Sequence, residues 1–136
     1  MTKLTKNYKP TKKEKFMNTK MREYFRLKLI SWKKQLLKES SQTLNNLQKE
    51  ENSARPDLTD RATEEIERSI ELRARDRERK LINKIEAALK KIDNGSYGYC
   101  EETGDPIGIK RLEARPVATL CLEAQEMHEK KEKKIN

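Results

Sequence analysis

Aromatic residues make up only 5% of this chain, and it has two cysteines and one histidine. With 33% hydrophobic against 40% charged residues, a broad globular core is excluded. Two cysteines are too few for a disulfide scaffold and point to free thiols or metal ligands. No apolar run approaches the roughly 18 residues of a membrane span. The Lys-rich start also lacks the apolar centre of a signal peptide. The expectation is a soluble, cytoplasmic protein. One histidine, no Gly-rich phosphate loop before a helix and no nucleophile beside a base argue against an enzyme.

What the chain has instead is long stretches free of helix breakers. Gly95, Gly98, Gly104 and Gly108 fall within 14 consecutive positions, and the prolines are Pro10, Pro56, Pro106 and Pro116. Residues 11–55 and 57–94 contain neither type, each of which costs about 1–3 kcal/mol inside a helix. In the first stretch Phe25, Leu29, Trp32 and Leu36 recur at 4-3-4 spacing, flanked by Ile30, Leu37 and Leu44. In the second, Ile66, Ile70, Leu81, Ile85, Ala88 and Ile92 form a similar stripe, interrupted by the charged run 73–80. Neither stripe buries enough alone, so the two helices are expected to pair.

The predicted fold class is mainly α. A long antiparallel coiled-coil hairpin occupies 16–94, with its tip near 54–62 around Pro56. Each helix of about 34 residues would run about 50 Å. Asp93-Asn94-Gly95 supplies a C-terminal stop. Residues 95–136 then form a small zinc-ribbon-like globular knuckle and a last helix from Leu120 to Lys134. Residues 1–15 read as a disordered basic tail.

The formal charge of +9 is unevenly spread. Residues 1–20 hold seven lysines and one glutamate, and the remaining 116 residues only 25 basic against 22 acidic groups. Residues 50–67 carry seven acids and two arginines. A protein that coats DNA would not be built this way.

Cys100 and Cys121 frame the knuckle as Cys100-x2-Thr103-x17-Cys121-x2-Ala124. A four-thiolate zinc ribbon has this spacing, but Thr103 and Ala124 stand where two thiolates would be. His128 lies seven positions past Cys121, about 10 Å along a helix and too far to complete a site. Glu101 and Glu102 are poor partners for a structural zinc. The favoured reading is two small buried thiols, with no zinc required.

At the bend, Asp57 and Asp60 are three residues apart. Two roles fit them. As acids before a helix they satisfy its free N–H groups, worth about 1 kcal/mol. Alternatively, they present carboxylates to a cation or a basic pocket.

Several motifs together resemble a known family. They are Asp57-x-x-Asp60-Arg61-Ala62, the run from Glu71 to Ile82, Tyr97-Gly98-Tyr99-Cys100, and Ile107 to Pro116. Phe16 to Leu36 joins them, so the likeness covers roughly 16–130. It is to the DksA (DksA/TraR) family of bacterial RNA polymerase-binding transcription factors. The resemblance implies a coiled-coil arm inserted through the polymerase secondary channel, with Asp57, Asp60, Arg61 and Ala62 at its tip. It implies open-complex destabilisation at rRNA promoters together with (p)ppGpp, as in the stringent response. Arg77 matches a polymerase-rim contact. Leu81, Lys84 and Arg115 match positions that meet the alarmone, and Gln125 replaces a lysine there, which weakens phosphate binding. Arg115 could instead simply pair with Glu113. With no apolar run for a membrane and no groove-reading helix, the expectation is a monomer without membrane association or sequence-specific DNA binding.

Two other functions compete. One is a Gre-type transcript-cleavage stimulator, whose tip acids hold Mg²⁺. The other is a nucleic-acid or ribosome adaptor acting through the Lys-rich tail.

Overall fold

The computed structural model describes residues 4–51 and 58–135, the side chains of 43–44, 46–51, 58–59 and 135 excepted. Four helices follow one another: α1 (Thr19–Glu51), α2 (Leu58–Asn94), α3 (Ile109–Ala114) and α4 (Leu122–Ile135). Among the described residues, extended structure is limited to one antiparallel bridge between Tyr99 and Pro106. No described helix is long and apolar enough to cross a membrane.

Local chemistry sets the helix ends. The Asn18 carboxamide oxygen accepts the Met21 N–H at 2.9 Å, capping α1. At the end of α2, Gly95 takes φ 84°, and the Ser96 and Tyr97 N–H groups both return to the Lys91 carbonyl. Asn94 accepts from the Ser96 backbone and hydroxyl as well. The expected Asp93-Asn94-Gly95 stop is therefore a left-handed glycine cap. The six-residue α3 was not anticipated, because too few residues precede Pro116 to show a helical period.

The chain divides into two compact units, residues 1–30 with 85–136, and residues 31–84. The boundary thus falls within α1 and α2, whereas the sequence suggests a domain boundary at 94/95. In the first unit, Met21, Phe25 and Leu29 recur every four residues and are fully buried. Ile85, Ala88 and Ile92 from α2 are buried too, with Tyr97, Ile107, Leu112, Val117 and Ala124. The Phe25 and Tyr97 rings lie 5.7 Å apart, and the Tyr97 hydroxyl donates to the Pro116 carbonyl at 2.8 Å. Gly98 is the other fixed point. Its φ is 91°, and an added Cβ would meet Met17 Cγ at 3.0 Å. Glycine alone satisfies both conditions.

Residues 4–15 differ from the expected disordered tail. Tyr8 stacks edge-on against Tyr24 at 6.0 Å and donates to Glu14, whose carboxylate also accepts the Thr11 N–H. Composition marked this segment as solvated, but one tyrosine with an aromatic neighbour on α1 is enough to anchor it.

In the second unit the expected α2 stripe is out of phase. Ile66 and Ile70 are 63% and 57% exposed. At about 100° per residue, Ile70 sits about 60° and Ile66 about 100° around the helix from the buried Ile85. The seven-residue series leading back from Ile92 and Ile85 is Glu78, Glu71 and Glu64, all half-buried. On α1, residues 38–51 offer only Leu44 and Leu47 as aliphatic partners by sequence. This face of α2 is apolar at its base and mixed beyond, where Ala74 and Arg75 are half-buried beside the three glutamates.

Tyr97→Phe, which removes only the hydroxyl, should cost about 1 kcal/mol in urea unfolding. Tyr97→Ala should cost about 3–5 kcal/mol, because the ring fills the core beside Phe25.

Candidate functional site

Three of the four residues expected at the tip lie at the start of α2. Asp60 lies in the first turn of α2, where the helix dipole favours a carboxylate. It is exposed, as are Arg61 and Ala62. Asp57 falls outside the described residues. Further along α2, Arg77 and Lys84 are exposed and Leu81 is half-buried. Beside Arg77, Arg79 pairs with Asp76 at 3.4 Å. All of these lie in the second unit.

Arg115 and Gln125 belong to the first unit. Arg115 closes α3, its N–H returning to the Arg111 carbonyl at 2.8 Å, and its side chain is exposed. The suggested Arg115–Glu113 pair does not form. Glu113 is taken by Lys28, which donates at 3.0 Å to both its carboxylate and its carbonyl. Among the described residues no ion pair of Arg115 is found, so its guanidinium faces outward. The Gln125 amide donates to Glu129 at 3.4 Å, one turn along α4.

Lys28–Glu113 spans 85 positions of sequence, and no local pattern announces it. Desolvation works to raise the Glu113 pKa. Hydrogen bonds from Lys28 and Tyr24 outweigh it and hold the carboxyl below its ordinary value. Burial, with the bond to Glu113, pushes the Tyr24 hydroxyl up to about 12.

The knuckle is tied on two sides. Glu101 pairs with Lys91 of α2, and Glu102 with His128 of α4. Its turn is closed by Cys100 N–H to Asp105, Gly104 N–H to Cys100 and Glu101 N–H to Thr119. Arg111 donates to the Leu120 carbonyl at 2.9 Å, fixing the stretch that leads to Cys121. Both cysteines are free and buried. The Thr103 hydroxyl lies 3.8 Å from Cys121 Sγ. A hydrogen bond from Thr103 to Cys100, helped by neighbouring backbone groups, lowers the Cys100 thiol to about 6 against the desolvation that would raise it.

This order of elements matches two family profiles. Residues 21–92 match the DnaK suppressor protein DksA N-terminal domain, and residues 95–130 match the prokaryotic dksA/traR C4-type zinc finger. The chain belongs to the DksA family. It is 57% identical over 128 residues to the RNA polymerase-binding transcription factor DksA of Caulobacter vibrioides, covering 93% of this chain and 89% of that one. Against the Escherichia coli K12 protein of the same name it is 48% identical over 122 residues, covering 90% and 80%. Transcription factor DksA2 from Pseudomonas aeruginosa, a solved structure, shares the fold with a TM-score of 0.81 and 39% identity. That match covers 87% of this chain and 90% of the other.

The C4 label raises the question of zinc. A four-thiolate site needs four sulfurs at about 2.3 Å from the ion, and this chain has two cysteines. Thr103 offers a neutral hydroxyl, already bonded to sulfur and to the Asp105 N–H. Ala124 is a buried methyl. Among the described residues no cluster of three or more His, Cys, Asp or Glu could hold a metal. The donor set does not fit the four-thiolate group of the family.

Lys28→Ala should destabilise the protein at neutral pH by less than about 1 kcal/mol, since the pair is about one-third exposed. Because the folded Glu113 pKa lies below 4.5, this contribution is present above that value and lost as pH falls through the folded pKa. The stability difference between wild type and variant should shrink as pH falls through the lowered Glu113 pKa, read by acid unfolding.

Proposed function

We propose that this chain is a transcription regulator that binds RNA polymerase directly through the secondary channel. It destabilises open complexes at rRNA promoters and works with (p)ppGpp in the stringent response. The observation that carries this reading is the exposed Asp60-Arg61-Ala62 turn opening a long α2 in a chain of the DksA family. Carboxylates at this point can bias the charges around the polymerase active centre without any bond being made or broken. Asp57 and Asp60 are the pair assigned to that role, with Arg77 gripping the polymerase rim.

The alarmone is assigned to Leu81, Lys84, Arg115 and Gln125, bound jointly with the polymerase. Its phosphates need cations, and Lys84 and Arg115 supply them by charge. Gln125 contributes a neutral amide. The protein is a cytoplasmic monomer in this reading. It is no enzyme, has no sequence-specific DNA contacts and requires no zinc. Apolar packing, the buried Cys100 and Cys121 side chains included, holds the knuckle, with minor help from the surface contacts of Glu101 and Glu102.

On an rRNA promoter with cognate polymerase, the wild type should shorten the open-complex lifetime, more so with ppGpp. An Asp57→Asn/Asp60→Asn variant should bind polymerase yet leave the lifetime unchanged. Gln125→Lys should strengthen the ppGpp response by about tenfold in effective concentration, the worth of one charge-assisted phosphate contact. Release of short 3′ RNA fragments from backtracked complexes would replace this reading with a Gre-type one.

The purified protein should melt at the same temperature before and after treatment with a strong zinc chelator. A fall in melting temperature that added zinc restores would show that the two thiols recruit a metal after all.

A further inference from the structure

A groove of about 520 Å³ runs between the N-terminal segment and α1. Leu4, Lys6 and Tyr8 line one wall, and Tyr24, Leu27 and Lys28 the other. It shares no residue with the tip or with the alarmone positions. Leu27 is 48% exposed on an otherwise well-packed turn of α1. That leaves an aliphatic side chain facing the groove.

We propose that this groove docks an acidic peptide segment of a partner protein, anchored by an aliphatic side chain. The floor sets the anchor: Leu4 and Leu27 offer aliphatic surface, flanked by the two tyrosine rings. Those rings meet edge-on at 6.0 Å, so they make a wall and not an open platform for stacking bases. That favours a peptide over a nucleic acid.

Charge sets the rest of the occupant. The carboxylates closest in sequence or space are already engaged within the chain. Glu14 accepts from Tyr8 and Thr11, Glu23 from Arg26 at 3.3 Å, and Glu113 from Lys28. Lys28 is thereby compensated and serves as a wall. Lys9 also acts on Glu113, but Lys6 at the groove, with Lys12 and Lys13 on the same segment, leaves a positive surplus in a stretch holding seven lysines and one glutamate. An acidic segment complements that surplus, and its apolar anchor completes the burial of Leu27.

The test uses the full chain and a fluorescein-labelled peptide of about a dozen residues, all Asp and Glu except two leucines one helical turn apart. Fluorescence anisotropy should show saturable micromolar binding that weakens as salt rises. Leu27→Asp should weaken it by about tenfold, as should replacing the peptide leucines by serine. Lys6→Glu should weaken it and flatten the salt dependence. Both substitutions sit at the surface, and circular-dichroism melting confirms that each variant is folded. No saturable binding below millimolar peptide, or full affinity in Leu27→Asp, overturns the proposal. Equal or tighter binding of a short DNA duplex, indifferent to Leu27→Asp, overturns it in favour of a nucleic-acid site. Concentration-dependent dimers that Lys6→Glu abolishes, with no peptide binding, overturn it in favour of a second copy whose own acidic stretch fills the groove.

Discussion

The buried Tyr97 is the point on which the first unit depends. Its ring packs against Phe25 of α1, and its hydroxyl reaches the Pro116 carbonyl, so one side chain joins the helix base to the chain leaving α3. Burial, with the nearby Glu113 charge, pushes this phenol far above its ordinary value, which keeps it a neutral donor at any physiological pH. The residues around it are arranged to allow this. Gly95 reverses the chain just before it, and Gly98 lets the backbone pass Met17 just after it. Without that reversal the knuckle would have no fixed relation to the base of α2.

The knuckle belongs by profile to a C4 zinc-finger group but has half of the sulfurs. A metal would link four points of chain through one ion. Here separate links connect the turn to its surroundings: Glu101 to Lys91, Glu102 to His128, and Tyr97 to Pro116. The first two are surface contacts, each contributing less than about 1 kcal/mol. Apolar burial of Ile107, Leu112, Val117 and Ala124 must therefore supply most of the cohesion.

Much of this was legible in the sequence. Breaker-free stretches gave two long helices, and the 4-3-4 stripe from Phe25 to Leu36 identified a buried face, with Phe25, Leu29 and Leu36 all inside. The Asp93-Asn94-Gly95 stop is also as read. The α2 stripe failed beyond Leu81, because Ile66 and Ile70 match each other in spacing but not the phase set by Ile85 and Ile92. Periodicity within a short window says nothing of phase across the charged run 73–80. The Lys28–Glu113 pair and the anchoring of Tyr8 were illegible for a different reason. Both depend on which distant segments meet, and composition alone assigns such residues to solvent. Of the residues expected at the tip, Asp60, Arg61 and Ala62 are seen exposed, while the residues proposed to meet the alarmone stand in two separate units.

The polar stretch of α2 has a kinetic consequence. Where Ile85 and Ile92 face inward, a helical turn can open only by breaking the core, so its amides should exchange with solvent only on global unfolding. Where Glu64, Glu71 and Glu78 occupy the same register, opening a turn returns carboxylates to water and forfeits little apolar contact. Cooperativity should therefore fade along α2 from Ile92 toward Leu58, leaving the turns nearest Asp60 free to fray and reform while the base stays folded.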